Sequence, residues 1–286
     1  MSGAARDTGD VPASFVVVPQ WQGSGSSRAM RLQDGAEAIR GDLPASATRV
    51  VEVPVEAGES LGTGIHRYAS LLAVRTRQEA ALRASDGPVI TIGGDCGVEL
   101  ASIGHAAEAH PGLAVVWLDA HADLHTPATS PSGAFHGMVL RAVLGEGADG
   151  LELPAGTVTG DRVVLAGARA LDEAEADLVA ASGIAHLPVD ALDAESLVAA
   201  VAATGATHVH IHVDLDVLDP GAMSGVGFPE PFGLDVQVLT DAIKALRRSY
   251  GLAGAGITEF APSSPAAAVD DMGTILRVIG ALTGPV

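Results

Sequence analysis

The chain has 286 residues, of which 48% are hydrophobic and 18% charged, so its composition is that of a folded protein rather than a disordered one. Its 16 Lys and Arg residues against 35 Asp and Glu residues give a net charge of −19, which argues against nucleic acid or an anionic membrane as partner and permits cationic substrates and divalent metal ions. The single cysteine, Cys96, excludes an internal disulfide, and the first ten residues lack a signal-peptide pattern, so we expect a cytoplasmic protein.

Short apolar runs rich in β-branched residues alternate along the chain with Ala- and Leu-rich stretches of helical spacing. The runs predict strands at 14–18, 49–53, 88–92, 113–118, 162–165, 184–188, 208–213 and 253–257. The stretches predict helices at 68–84, 97–109, 136–144, 171–181, 194–203, 235–249 and 272–282.

This alternation predicts an α/β fold, a three-layer α/β/α sandwich with a mainly parallel eight-stranded sheet, formed by one domain that spans residues 1–286. A TIM barrel, which also contains eight βα units, is the competing architecture. We expect residues 1–10 to be disordered and the loop 145–160 to be a flexible insertion. In either architecture the chemistry belongs at the carboxyl ends of the strands.

The segment VVWLDAHADLHTP (115–127) follows a predicted strand and contains Asp119, His121 and Asp123, spaced two residues apart. In extended backbone this spacing places the three side chains on one face. Two carboxylates and an imidazole directly after a buried strand are costly unless a cation balances them. The segment therefore predicts half of a metal site, with a solvated loop as the alternative.

The segment HVHIHVDLDVLDP (208–220) has the pattern expected of the second half of such a site. Its polar side chains alternate with apolar ones and include His208, His210, His212, Asp214 and Asp216. Carboxylate and imidazole ligands suit Mn²⁺, Fe²⁺, Co²⁺, Ni²⁺ or Zn²⁺ better than Ca²⁺. For His208 and His210 we favour a position under a covering helix or at an interface over a role as metal ligands. The role of His212 stays open.

These two motifs, DAHAD and DLDVLDP, occur together with GGDC (93–96) upstream and SGAFHG (132–137) between them. In this order they resemble the ureohydrolase family of arginase, agmatinase and formimidoylglutamase, from about residue 14 to about residue 280. The resemblance implies an α/β/α sandwich around a parallel eight-stranded sheet and a site for two divalent metal ions, usually manganese. It also implies a homotrimer or a homohexamer.

The resemblance also assigns the metal ligands. Five of the family's six ligand positions are matched, by Asp119, His121, Asp123, Asp214 and Asp216. Asp119 and Asp214 are expected to bridge the two metals. The sixth position, a His in typical members, is Cys96 here. A thiolate favours Zn²⁺ or Fe²⁺ over Mn²⁺, so we expect the metal at that position, metal A, to be weakly bound, absent or replaced by zinc or iron. A buried structural cysteine is the alternative.

His212 stands where many members carry Ser, and it is expected either to compensate as a ligand or to hydrogen-bond to one.

The activity implied is hydrolysis of a linear guanidino or amidine C–N bond by metal-activated hydroxide, which releases urea and an amine from a small cationic substrate. Asp123 would hydrogen-bond the hydroxide and move its proton, His136 would be the proton shuttle, and Glu259 would pair with the guanidinium or amidine. His125 and Ser132 are expected to contact the substrate.

The identity of the substrate stays open, and two other functional classes remain as alternatives. His125 and Ala134 stand where arginases carry Asn, and Ala170 replaces an acid, which speaks against arginine itself. The segment GVGFPEPFGL (225–234) is more similar to agmatinases. The alternatives are an amide or acetylpolyamine deacetylase with the same fold, which would need a catalytic Tyr, and a non-catalytic subunit that has lost one metal through Cys96.

Overall fold

The computed structural model describes residues 13–285, so the segment 1–10, expected to be disordered, lies outside the described part of the chain. The strands are Ser14–Val18 (β1), Thr48–Val50 (β2), Val89–Gly93 (β3), Ala114–Leu118 (β4), Val163–Ala166 (β5), Ala185–Leu187 (β6), His208–Asp214 (β7) and Gly251–Thr258 (β8). Each of them overlaps one of the strands predicted from the apolar runs.

The helices are Arg31–Gly41 (α1), Tyr68–Arg83 (α2), Glu99–Ala109 (α3), Val139–Val143 (α4), Glu173–Ser182 (α5), Ala194–Thr204 (α6), Val236–Ser249 (α7) and Pro265–Thr283 (α8). The first of these was not predicted, because few of its residues are apolar. The last begins at Pro265 rather than at residue 272, because Ser264 caps it by accepting a hydrogen bond from the Ala267 N–H. No helix within residues 13–285 has both the length and the apolar composition needed to cross a bilayer.

All eight strands are parallel and form one open sheet in the order β2-β1-β3-β8-β7-β4-β5-β6. The strands β2 and β6 form its edges, so the sheet does not close and the TIM-barrel alternative is wrong. The prediction of an α/β/α sandwich with an eight-stranded sheet is confirmed.

Apolar side chains cover both faces of this sheet. Along β4, Ala114, Val116 and Leu118 pack on the face that α1, α6, α7 and α8 cover. The alternate residues Val115 and Trp117 pack on the other face, with α2, α3, α4 and α5. This burial on both faces explains why the strands read as continuous apolar runs.

The loop 145–160 does not have the features expected of a flexible insertion. Three of its side chains, Leu151, Leu153 and Val158, are buried in the second of these apolar clusters. The loop is therefore held against the domain by apolar packing.

Candidate metal centre

Four adjacent strands in the middle of the sheet, β3, β8, β7 and β4, carry the predicted site at their carboxyl ends. Cys96 follows the first, Glu259 follows the second, Asp214 ends the third with Asp216 just beyond it, and Asp119 follows the fourth. Because the strands are parallel, these side chains meet at one edge of the sheet.

Four buried side chains form a first set of donor atoms, the Cys96 group, whose members lie within 4.8 Å of one another: Cys96, Asp119, His212 and Asp214. The Cys96 thiol donates to Asp214 Oδ2 at 3.1 Å, and its Sγ lies 3.9 Å from His212 Nε2. The same imidazole nitrogen lies 3.7 Å from Asp119 Oδ2. His212 is thus among the donors.

A second set, the His121 group, consists of Asp119, His121 and Asp216. His121 Nδ1 lies 3.1 Å from Asp216 Oδ2 and 3.5 Å from Asp119 Oδ1. Asp119 therefore belongs to both groups, with Oδ1 near His121 and Oδ2 near His212, and its role as a bridging ligand stays a prediction. Asp214, the other expected bridge, belongs to the Cys96 group, and its Oδ1 accepts the Asp216 N–H at 2.8 Å.

The electrostatics of the two groups show an excess of buried negative charge. Burial raises the pKa of Asp214, and the neighbouring carboxylates add to the effect. Burial alone would lower the pKa of His121, but the carboxylates of Asp119 and Asp216 raise it to about 12. Burial and the charge of Asp214 raise the pKa of the Cys96 thiol. These shifts mark donors whose charged forms need a positive counter-charge nearby.

The donors fit divalent cations. In a tetrahedral site, bonds of about 2.0–2.3 Å place neighbouring donor atoms about 3.3–3.8 Å apart. Donor atoms in each group lie within 4.8 Å of one another, with Cys96 Sγ 3.1 Å from Asp214 Oδ2 and 3.9 Å from His212 Nε2. Thiolate, imidazole and carboxylate are also the donor types that first-row transition metals take.

Asp123 lies next to the two groups but is a member of neither. It is 4% exposed, and its Oδ2 has no hydrogen-bond partner among the described residues. Burial and the charge of Asp119 raise its pKa. Its φ of 53° is in the left-handed region, a strained conformation typical of functional positions. Its role as a ligand stays a prediction, and one of its oxygens is available for a further partner.

Glu259 contacts the backbone of Cys96. Its Oε1 accepts the Cys96 N–H at 3.2 Å and lies 3.9 Å from His136 Nδ1. Its Oε2 has no hydrogen-bond partner among residues 13–285, although the residue is 2% exposed, and its φ is 66°. A cavity of about 70 Å³, lined in part by Ser24 and Gly227, opens beside it.

His136 stacks on Phe228 with ring centroids 4.9 Å apart. Burial lowers the pKa of His136 to about 4, so its ring is neutral at physiological pH and would hold a proton only transiently.

A model of the Arginase family matches residues 24–274, with the two donor groups inside the matched range. The chain belongs to the arginase family. It is 32% identical over 227 residues to the arginase of Bacillus caldovelox, which covers 74% of this chain and 76% of the relative. The crystal structure of arginase from Bacillus caldovelox superposes with a TM-score of 0.82 at 25% identity over 96% of this chain and 99% of that one.

The fold is also that of Entamoeba histolytica arginase, solved in complex with L-ornithine, with a TM-score of 0.83 at 21% identity over 96% of this chain and 98% of that one. The family match and these relatives make the chain a metal-dependent ureohydrolase.

Two residues expected to contact the substrate of an arginase-family enzyme lie apart from the donor groups. His125 Nε2 lies 3.5 Å from Asp172 Oδ2, and these two residues form a separate cluster with Glu175. Ser132 is exposed, and its Oγ accepts the Ala134 N–H at 3.2 Å. Their part in substrate binding stays a prediction.

Two further residues of this arginase-family site did not emerge from the sequence. Trp117 Nε1 donates to Asp119 Oδ2 at 3.0 Å, and the Trp117 ring stacks on His212 with centroids 3.7 Å apart. Glu99, fully buried, accepts a hydrogen bond from His210 at 2.7 Å. The available signals in the sequence were a Trp two residues before Asp119 and an acid at the start of an otherwise largely apolar helix.

Proposed function

We propose that the chain hydrolyses the C–N bond of a small, linear, cationic guanidino compound and releases urea and an amine; an amidine hydrolysed in the same way would release an amide and an amine. The observation that carries this proposal is the position of the buried Glu259, whose Oε1 accepts the Cys96 N–H and whose Oε2 has no hydrogen-bond partner within residues 13–285. A planar cation is the natural partner of such a carboxylate. The same edge of the sheet then brings together the substrate cation and the groups that activate water.

Of the described residues, the Cys96 group and the His121 group would hold one divalent cation each, with Asp119 shared. When bound, two such cations lower the pKa of a water molecule and make hydroxide available near neutral pH. Manganese is the ion we expect in the His121 group, because its donors are carboxylates and an imidazole.

The chain's own side chains handle the substrate and the protons. Glu259 orients the guanidinium by pairing with its N–H groups. Asp123 accepts a hydrogen bond from the attacking water through Oδ2, which has no partner among the described residues, and passes the proton to the departing amine. His136, neutral and 3.9 Å from Glu259, carries a second proton from solvent to the departing amine, which leaves as an ammonium ion.

The rim of the site favours a substrate whose far end is not an amino acid. The segment 225–234 contributes Phe228, which stacks on His136, and Glu230, whose Oε1 lies 4.0 Å from His121 Nε2. The guanidinium of Arg169, a candidate partner for a substrate carboxylate, donates instead to backbone carbonyls, among them those of Asp216 and Glu230. An agmatine-like compound therefore fits this rim better than arginine.

The two tyrosines of the chain do not support the deacetylase alternative. The hydroxyl of Tyr68 donates to the Asp149 carbonyl, and that of Tyr250 donates to the Val198 carbonyl at 3.0 Å. Neither contact belongs to the donor groups, so neither tyrosine is placed to polarise a substrate carbonyl there.

The test is urea release by the purified chain, loaded with manganese, zinc or both, across a panel that includes arginine, agmatine and ω-guanidino acids. We expect urea from at least one linear guanidino compound, with agmatine above arginine. Metal content is measured on the same samples. A fully loaded protein that releases urea from no compound would contradict the proposal.

A further inference from the structure

A chain of buried polar side chains runs from the Cys96 group to the underside of α3. Glu99, the first residue of that helix, accepts a hydrogen bond at 2.7 Å from His210 Nε2 on β7. The same Glu99 oxygen lies 3.7 Å from His212 Nδ1, two residues further along that strand. All three side chains are at most 1% exposed.

The neighbouring strand makes room for these side chains with two glycines. In the register of the sheet, Gly254 of β8 is opposite His210 and Gly256 is opposite His212. A Cβ at Gly256 would lie 1.9 Å from Glu99 Oε1, and one at Gly254 would lie 3.0 Å from His210 Nδ1. Burying a carboxylate costs free energy. Because two glycines of β8 leave space for the buried Glu99 and His210 side chains, we infer that the Glu99 carboxylate has a function.

The His212 ring is held so that its two nitrogens face different partners. Nε2 faces Cys96 Sγ at 3.9 Å and Asp119 Oδ2 at 3.7 Å, whereas Nδ1 faces the Glu99 carboxylate. The ring of Trp117 stacks on it. Within the described residues, His212 Nδ1 and Glu99 Oε1 have no hydrogen-bond partner. One nitrogen on a metal and the other on a carboxylate is the usual setting of a metal-ligating histidine.

We propose that Cys96 and His212 together form, with Asp119 and Asp214, a metal position that takes Zn²⁺, Co²⁺ or Fe²⁺ in preference to Mn²⁺, and that the Glu99–His210 pair positions His212 for it. The proposal rests on the two-cation enzyme proposed above and defines the metal chemistry of one position. Sulfur, nitrogen and two oxygens are a four-donor set typical of zinc, whereas manganese prefers oxygen-rich ligand sets. The imidazole of the family pattern, which this chain lacks at residue 96, is thus supplied from β7 by His212.

The test uses the full chain, stripped with a chelator and titrated with Co²⁺ alone, because a thiolate ligand gives cobalt a charge-transfer absorption in the near ultraviolet. We expect the wild-type chain to show this absorption and Cys96→Ser to lose it. His212→Gln and Glu99→Gln should each weaken Co²⁺ binding, the latter by about 10- to 100-fold while keeping the absorption, as loss of a partner of a metal-ligating histidine does.

His208→Gln is the matched control, since His208 lies on the same strand but stacks on His110, with centroids 4.1 Å apart, outside the donor group. It should bind Co²⁺ as the wild type does. Circular dichroism shows which variants fold. If His212→Gln does not fold, Glu99→Gln, which keeps the shape of the side chain, decides.

Three results on the variants would overturn the proposal: a near-ultraviolet absorption that survives Cys96→Ser, a folded His212→Gln that binds Co²⁺ like the wild type, or Glu99→Gln indistinguishable from His208→Gln. A wild-type chain that takes up manganese over zinc at both positions, when offered equal amounts, would also overturn it. Cobalt–thiolate absorption without urea release would refute the proposed function alone, and urea release without that absorption would refute this inference alone.

Discussion

Glu259 combines burial, a positive φ and an oxygen without a hydrogen-bond partner among the described residues. Each of these features costs stability, and a side chain with only a structural role would gain nothing from the combination. They are explained together if the carboxylate is kept ready for a cationic ligand. Replacing its charge while keeping its shape therefore tests its function.

We expect Glu259→Gln to lower kcat/KM for the best guanidino substrate by about 30-fold or more, the effect of breaking a buried charge pair worth about 2 kcal/mol or more. The amide oxygen still accepts the Cys96 N–H, so the melting temperature should not fall. The measurement is urea release at equal metal content. A variant as active as the wild type would mean that the substrate cation is bound elsewhere.

Cys96 is the residue at which the metal preference of the site is decided. We expect Cys96→His to raise the ratio of manganese to zinc in protein that was loaded with equal amounts of both, because imidazole suits harder cations better than sulfur does. Metal analysis of the folded variant gives the ratio, and Cys96→Ser serves as the control without imidazole. An unchanged ratio in Cys96→His would show that this cysteine does not select the metal.

The site residues that could be identified from the sequence are the acidic and histidine side chains that directly follow a predicted strand. Asp119, His121 and Asp216 follow apolar runs directly, so their convergence could be inferred without knowing the strand order. Glu99 and Trp117 could not be found in this way, since their roles depend on which strand each packs against. His212 remained ambiguous, because its two nitrogens face different partners only in the folded chain.

At the scale of elements, the strands were predictable and the helix ends were not. A strand buried on both faces, such as β4, is a continuous apolar run that has no competing interpretation. The helix α1 has only four buried residues, among them Gly35, where a Cβ would lie 1.9 Å from the Phe260 carbonyl oxygen. Its position is set by that close packing, which no periodicity reveals.

The fit between β8 and α3 gives a prediction at this scale. Gly256→Ala places a Cβ against Glu99 and should destabilise the fold by about 1–3 kcal/mol, the cost of overpacking a core. Gly280→Ala on α8 is the control: it meets nothing within 4 Å and should be neutral or stabilise by about 0.5–1 kcal/mol. Denaturant unfolding measures both. Equal stability of the two variants would show that the sheet is not shaped around Glu99.

At the scale of the whole molecule, the buried acids make the stability of the fold depend on cations. Asp119, Asp214 and Asp216 are each at most 2% exposed, and they lie at the ends of two central strands that hold the sheet together. Burial raises the pKa of Asp214 and Asp216, which is the sign that their charged forms are costly without a counter-charge. A ligand that binds only the folded chain removes this cost.

We therefore expect chelator-treated protein to melt about 5 °C or more below protein with manganese and zinc at 100 times their dissociation constants, since such saturation adds about 2.7 kcal/mol per site. Asp119→Asn is the matched variant, because it weakens the one carboxylate that both groups share while keeping its shape. Its melting temperature should respond much less to the same cations. A wild-type melting temperature that does not move with the metals would mean that the four donors of the Cys96 group and the three of the His121 group do not act as cation ligands in the folded chain.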